Sequence, residues 1–195
     1  EKWFEDMEKL FESADIHEQE ALYAALPISP FQERFTKRAA EGLRSNMTSV
    51  FDAIALDNPY PADYLSEQAW NQMVLKAIFM QRPLYRIVGV DQRQNINLAT
   101  TLVDYIHERW SAGRNVIPEL WRFLSPFIDK EIIGLLEKVG EKGDRLEKFA
   151  AALACHESDN LAAKGLLDKH PEIKEKIENG EISWEKIGED FEALN

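Results

Sequence analysis

The fold is decided by residues 43–83, LRSNMTSVFDAIALDNPYPADYLSEQAWNQMVLKAIFMQRP. In this stretch two apolar segments flank a corner at residues 58–61, Asn-Pro-Tyr-Pro. Proline fixes φ near −65° and disfavours the helical conformation in the residue before it. Two prolines one residue apart therefore predict a stiff joint that holds two helices at one angle.

Helical periodicity continues on both sides of this stretch. Asp15 is followed by Glu18 in a capping-box pattern, which predicts the start of a helix. Ser29 and Pro30 predict the N-cap and first turn of the next helix, with Arg34 and Arg38 on its solvated face. Asp129 predicts the cap of a later helix, and residues 140–143 predict a hinge. Residues 82–97 predict the longest irregular connection.

Short helices with short connections predict an all-α protein. The favoured architecture is antiparallel helical hairpins stacked in a HEAT-like right-handed solenoid. Because no strict repeat period occurs, an irregular helical bundle is the alternative. The length of 195 residues predicts a single all-helical domain, residues 1–195. Within it we distinguish N-terminal acidic helices (1–30), a functional middle segment (31–130) and acidic C-terminal helices (131–195).

The composition excludes several classes of protein. A net charge of −12 argues against nucleic acid as a partner. No apolar run reaches the roughly 20 residues of a membrane-spanning helix, and no signal-peptide pattern opens the sequence. We therefore expect a cytoplasmic location without direct membrane insertion. The single cysteine, Cys155, is predicted to be a small buried side chain.

The charged residues are unevenly distributed. The net charge is −6 for residues 1–30, +1 for residues 31–130 and −7 for residues 131–195. The middle has 9 Arg and 3 Lys, whereas the two flanks together have 1 Arg and 10 Lys. Arginine is preferred where a cation is held in fixed geometry, so the arginines of the middle segment either belong to a functional region or brace helix ends and loops through backbone carbonyls.

The candidate ligand-binding residues lie mainly on the two sides of the corner. The helix after Ser66 is apolar over most of its circumference, so its polar residues must face partners. Aromatic and arginine side chains in the same segment would suit a planar metabolite. This cluster is either a structural network or a ligand site. The candidates are Arg44, Asn46, Asp52, Tyr60, Asn71, Gln72, Lys76 and Arg109.

A catalytic alternative rests on Asp104, His107 and Glu108, which share one helix face. Histidine titrates near neutrality and can exchange a proton beside a carboxylate. The competing interpretation is a solvated face, because no HExxH, CxxC, GxSxG, P-loop or GxGxxG motif accompanies these residues. We predict no metal and no cofactor.

Five runs of the middle segment resemble the EboA family of metabolite-traffic proteins. The resemblance is close from about residue 31 to residue 127, loose before that and poor after residue 140. It is carried by LRSNMTSVFDAIALDNPYPADY (43–64), AWNQMVLKAIF (69–79), PLYRIVGVDQR (83–93), LVDYIHERWSAGR (102–114) and PELWRFLSPF (118–127). It implies membership of a small bacterial gene cluster that assembles and moves secondary-metabolite precursors toward the periplasm. It assigns no catalytic residue.

The sequence therefore predicts a non-catalytic binding or scaffold protein in the traffic of a secondary-metabolite precursor. Its partner would be a small-molecule metabolite or another protein of the pathway. The alternative is an enzyme acting on a small metabolite. In that version His107 exchanges a proton, Asp104 or Glu108 orients it, and Arg44 or Arg109 holds an anionic group.

Overall fold

The computed structural model describes residues 2–194, and in these residues the protein is all-α, with no β-strand. The α-helices are α1 (Lys2–Ser13), α2 (Ile16–Ala24), α3 (Thr36–Leu43), α4 (Thr48–Ala55), α5 (Tyr60–Tyr64), α6 (Glu67–Phe79), α7 (Val90–Arg93), α8 (Ile96–Ser111), α9 (Lys130–Lys142), α10 (Arg145–Glu157), α11 (Leu161–Leu167), α12 (Pro171–Glu178) and α13 (Trp184–Leu194). The 3-10 helices are Leu26–Ile28, Gln32–Phe35, Leu84–Arg86, Pro118–Phe123 and Ser125–Phe127.

The predicted all-α class is confirmed. The helices group into two compact units, and the division falls inside α6. The first unit runs to Ala77 and includes Arg86–Arg93, whereas the second comprises Ile78–Tyr85 and the chain from Gln94 onward. The solenoid stacking and the single domain stay predictions. None of the helices in residues 2–194 is both long and apolar enough to cross a membrane.

The first unit is built around α4, whose residues Val50, Phe51, Ile54 and Ala55 are buried and which packs against α2 and α3. The predicted capping box at the start of α2 is confirmed. The Asp15 carboxylate accepts from the Glu18 N–H at 2.9 Å, and the Glu18 carboxylate accepts from the Asp15 N–H at 2.9 Å. These two bonds satisfy N–H groups that the first helical turn leaves without partners.

The helix predicted to begin at Ser29 and Pro30 begins instead at Thr36. Phe31 has a φ of 57°, in the left-handed region, so the chain turns there and enters the 3-10 helix Gln32–Phe35. This conformation is strained for a residue with a side chain. The ring of Phe31 lies 6.3 Å from the ring of Trp3 on α1, a contact that local sequence does not encode.

Of the two arginines predicted to be solvated, Arg34 is exposed as predicted, whereas Arg38 is half-buried. The Arg38 guanidinium donates to the Glu8 carboxylate, with Nη2 2.5 Å from Oε2, and its side chain is only 20% exposed. The Arg34 guanidinium lies 3.8 Å from the centre of the Phe4 ring. Both arginines therefore attach α1 to the rest of the first unit, through an ion pair and a cation–π contact.

The corner at residues 58–61 is held by Asn58 as well as by its prolines. The Asn58 side chain is buried, and its amide donates to the carbonyls of Ala53 at 2.9 Å and Tyr23 at 3.3 Å. Its Oδ1 accepts from the Tyr60 N–H at 2.9 Å. One side chain thus connects α2, the end of α4 and the start of α5, which fixes the direction of the chain after α4.

The second unit is built around α10, which packs against α9, α11, α12, α13 and the 3-10 helix Pro118–Phe123. The buried face of α10 is rich in small residues, namely Ala150, Ala151, Ala152, Ala154 and Cys155. The predicted cap of α9 is confirmed, since Asp129 Oδ1 accepts from the Ile132 N–H at 3.0 Å.

Of two predictions for the connections, one holds only in part and the other is wrong. The stretch 82–97 is irregular only in part, because it contains Leu84–Arg86, α7 and the start of α8. The hinge predicted at residues 140–143 is a helix end, since α9 continues to Lys142. In both places a buried apolar residue lies in the helix beside the local glycines, Val90 at the start of α7 and Val139 in the last turn of α9.

Candidate functional site

Three of the predicted ligand-binding residues line one cavity in the first unit. The cavity has a volume of about 200 Å³ and lies between the end of α3 and one face of α6. Arg44, Gln72 and Lys76 contribute its polar groups, whereas its apolar wall is Ala40, Leu43, Ala69 and Met73. The three polar residues come from both sides of the corner, so the fold brings together residues separated by about 30 positions.

Lys76 has a structural task in this cavity. Its ammonium donates to the carbonyls of Leu43 at 2.7 Å and Ser45 at 2.6 Å, which α3 leaves without helical partners at its end. A cation at this position is also favoured by the helix dipole. Burial lowers the pKa of Lys76, because the charged form loses hydration. Lys76 therefore anchors α6 to α3 and presents a cation to the cavity.

Arg44 is the cation that this network leaves available. It caps α3, its side chain is exposed, and within residues 2–194 its guanidinium has no hydrogen bond or ion pair. Gln72 was expected to be buried, but it is exposed at the mouth of the cavity. An arginine fork and an amide above an apolar wall can bind a small anionic group and orient its apolar part.

The other predicted ligand-binding residues do not line this cavity. Asn46 is exposed, whereas Asp52 and Asn71 are half-buried. Tyr60 is buried, and its hydroxyl donates to the Gln32 carbonyl at 2.7 Å. Arg109 lies in the second unit and donates to the Asn115 carbonyl at 2.9 and 3.1 Å. Tyr60 and Arg109 therefore make bonds that shape the local backbone.

The predicted catalytic face gives no support to the enzyme hypothesis. Asp104, His107 and Glu108 are all exposed on α8. His107 Nε2 lies 3.0 Å from the carboxylate of Glu131 on α9. This pair explains the histidine as a bridge between two helices, in line with the solvated-face interpretation. No group of three or more metal-ligating side chains occurs in residues 2–194.

Replacing His107 by Gln is expected to lower the free energy of unfolding by less than about 1 kcal/mol, because exposed ion pairs contribute little. The side chains of His107 and Glu131 are 52% and 60% exposed. Urea denaturation of H107Q should therefore superimpose closely on that of the wild type. Glu131→Gln removes the other partner and should behave alike. A loss of about 2 kcal/mol or more in either variant would contradict this interpretation.

Sequence reasoning missed a buried carboxyl group in the second unit, Glu119. It is 1% exposed, its Oε1 accepts from the Tyr85 N–H, and its Oε2 has no hydrogen-bond partner among the described residues. Burial raises the pKa of Glu119 to about 7. The backbone N–H groups of Leu84 and Tyr85 and the charge of Arg122 lower the pKa of Glu119, but burial has the larger effect.

Glu119 is covered by α13. At Gly188, a Cβ would overlap the Tyr85 ring and lie 2.9 Å from Glu119 Oε1, so only glycine fits there. The Tyr85 hydroxyl donates to the Glu192 carboxylate at 2.7 Å, and Glu192 raises the pKa of Glu119 further. One sequence signal could have found Glu119, since it is the only charged residue in the apolar run 116–121.

These observations define a class: an all-α protein whose first unit contains a cavity of about 200 Å³ lined by Arg44, Gln72 and Lys76. The chain belongs to the EboA family, whose model, described as metabolite traffic protein EboA, matches residues 1–125. The match includes the acidic N-terminal helices, over which the resemblance noted from the sequence is loose. No curated protein matches the chain, and no solved structure does.

Proposed function

We propose that the protein binds a small metabolite without transforming it and acts in the traffic of secondary-metabolite precursors. The description of its family supports a role in metabolite traffic. The observation that carries the proposal is the cavity in which Arg44, Gln72 and Lys76 meet above an apolar wall. Residues 1–125, which the family model matches, include this whole cavity.

The ligand class follows from the lining of the cavity. Arg44 offers a charged fork, Lys76 adds a second cation, and Gln72 can donate or accept. A cavity of about 200 Å³ is larger than the roughly 150 Å³ that admits benzene in an engineered apolar cavity. The ligand is therefore a small anion, or the anionic end of a larger precursor that extends into solvent.

Mass spectrometry of the protein purified under native conditions from its own cells tests the proposal. We expect a retained acidic compound, and we expect Arg44→Glu to reduce its occupancy by about 10-fold or more, since a hydrogen bond to a charged group contributes roughly 1.5–3 kcal/mol. Arg114→Glu is the matched control, because Arg114 is also exposed and does not line this cavity.

Two results would overturn the proposal. One is the absence of any retained small molecule, and the other is equal retention by the Arg44 and Arg114 variants. If a protein instead copurifies and crosslinks in a manner that depends on Arg44, the occupant is a pathway partner. Such a result would support the scaffold version of the same function.

A further inference from the structure

A second cavity, larger than the one between α3 and α6, lies in the second unit, beyond the residues that the family model matches. It has a volume of about 570 Å³ and is lined by residues of α9, α10, α11 and α12 and of the connection between α11 and α12. Small-molecule sites typically measure about 300–1,000 Å³. The cavity between α3 and α6, at about 200 Å³, falls below this range. We propose that the larger cavity is a second binding site, for a small apolar molecule that carries one acidic group.

The floor of this cavity is apolar, and α10 contributes three small side chains to it. Ala151, Ala152 and Cys155 are buried and occupy one face of the helix. Leu136 of α9 and Leu167 of α11 are also buried and complete the floor. Larger residues at the alanine positions would fill the space and bury more apolar surface. The open volume therefore depends directly on the small residues of α10.

Lys148 supplies the charge that recognises the acidic group. It lies three and four positions before Ala151 and Ala152, so it shares their helix face. Its side chain is half-buried, and within residues 2–194 its ammonium has no hydrogen bond or ion pair. A partly desolvated cation beside an apolar floor gains from an anion that it can pair with.

The remaining charged groups around the cavity restrict the ligand further. Lys169 adds a second cation, and His170 and Glu172 also line the cavity, with His170 Nδ1 3.9 Å from the Glu172 carboxylate. Glu137 and Glu141 are exposed on α9 and line the same cavity. Because these carboxylates oppose a ligand with several negative charges, the site favours a single acidic group on an apolar body.

Calorimetric titration with 2-naphthoate and with 2-naphthalenemethanol tests the proposal, because these probes share one apolar body and differ in charge. We expect naphthoate to bind. Lys148→Gln should lower the affinity for naphthoate about 10-fold and change the affinity for the alcohol less than about 2-fold. Lys130→Gln is the matched control. It changes a lysine that is exposed on α9 and does not line the cavity.

Ala152→Leu should fill the cavity and abolish the binding of both probes. Cys155 gives an independent readout because it is the only cysteine in the sequence. Burial raises the pKa of its thiol to about 11. Bound naphthoate should slow the alkylation of Cys155 by N-ethylmaleimide at least about 3-fold, since the ligand covers the sulfur.

The proposal is overturned if millimolar naphthoate does not bind, or if Lys148→Gln and Lys130→Gln bind it equally well. If Ala152→Leu fails to fold, as shown by circular dichroism, the comparison of the two lysine variants decides the question alone. Neither result bears on the cavity between α3 and α6. Failure here and failure of the proposed metabolite function are therefore distinguishable.

Discussion

Raising the pH from 5 to 8 is expected to destabilise the wild-type protein by about 2.5 kcal/mol relative to a Glu119→Gln variant. In the folded protein the buried carboxyl keeps its proton until about pH 7, whereas an unfolded glutamate loses it near pH 4.5. Between these values the folded state binds more protons than the unfolded state. The free energy of unfolding therefore falls as the pH rises through this window, and the contribution is constant above it.

Urea denaturation at several pH values between 5 and 8 measures this difference. The substituted amide in E119Q keeps a carbonyl oxygen for the Tyr85 N–H but does not titrate, so only the wild type should show the added pH dependence. Glu175→Gln is the matched control, because Glu175 is exposed and its replacement should leave the pH dependence of the free energy of unfolding unchanged. If the free energy of unfolding depends on pH in the same way for wild type and E119Q, Glu119 ionises normally in the folded protein.

Replacing Asn58 by Ala is expected to lower the free energy of unfolding by about 3 kcal/mol. The substitution removes three hydrogen bonds at once and leaves the N–H of Tyr60 and the carbonyl of Ala53 without this partner. Each net hydrogen bond contributes about 1 kcal/mol, and a buried group left unsatisfied costs roughly 1–3 kcal/mol. Asn58 is 4% exposed, so water does not readily replace the lost partners.

Two further variants sharpen this prediction. Asn46→Ala changes an exposed asparagine in the same stretch and should alter the stability by less than about 0.5 kcal/mol. Asn58→Asp keeps the acceptor for the Tyr60 N–H but loses both donated bonds and buries a charge, so it should be at least as destabilising as Asn58→Ala. If Asn58→Ala costs less than about 1 kcal/mol in urea denaturation, the prolines alone hold the corner.

Interactions between residues close in sequence were predictable. The capping box of Asp15 and Glu18 and the cap at Asp129 each involve residues three positions apart. The local sequence alone therefore indicates both groups that form the hydrogen bond. The helices on both sides of the corner were also predicted, because their apolar periodicity is strong. These features are determined by local backbone chemistry, which acts in the same way in any fold.

Interactions between distant residues were not predictable in the same way. Arg38 was assigned to solvent because Glu8, its partner, lies 30 positions away on another helix. The helix start at Ser29 was wrong because Phe31 adopts a left-handed conformation that no local rule favours for phenylalanine. Glu119 was missed because only the folded chain brings Gly188 over it.

The candidate site was predictable in part. The amino-acid pattern identified Gln72 and Lys76 as polar residues that require partners and Arg44 as a residue that could satisfy them, and all three line one cavity. The sequence did not indicate that Lys76 would bond the carbonyls at the end of α3, since that depends on where α3 stops. The larger cavity was not predicted, because the small residues of α10 look alike whether they pack tightly or leave space.

The covering of Glu119 by α13 has an evolutionary consequence. The family match ends at residue 125, but the 3-10 helix Pro118–Phe123 inside it packs against α10 and α13 outside it. A gene shortened to the matched residues would encode a chain whose Glu119 and Tyr85 have lost the cover of Gly188. The end of recognisable similarity is therefore not a folding boundary. We expect homologues that diverge after this point to retain a residue without a side chain opposite Tyr85.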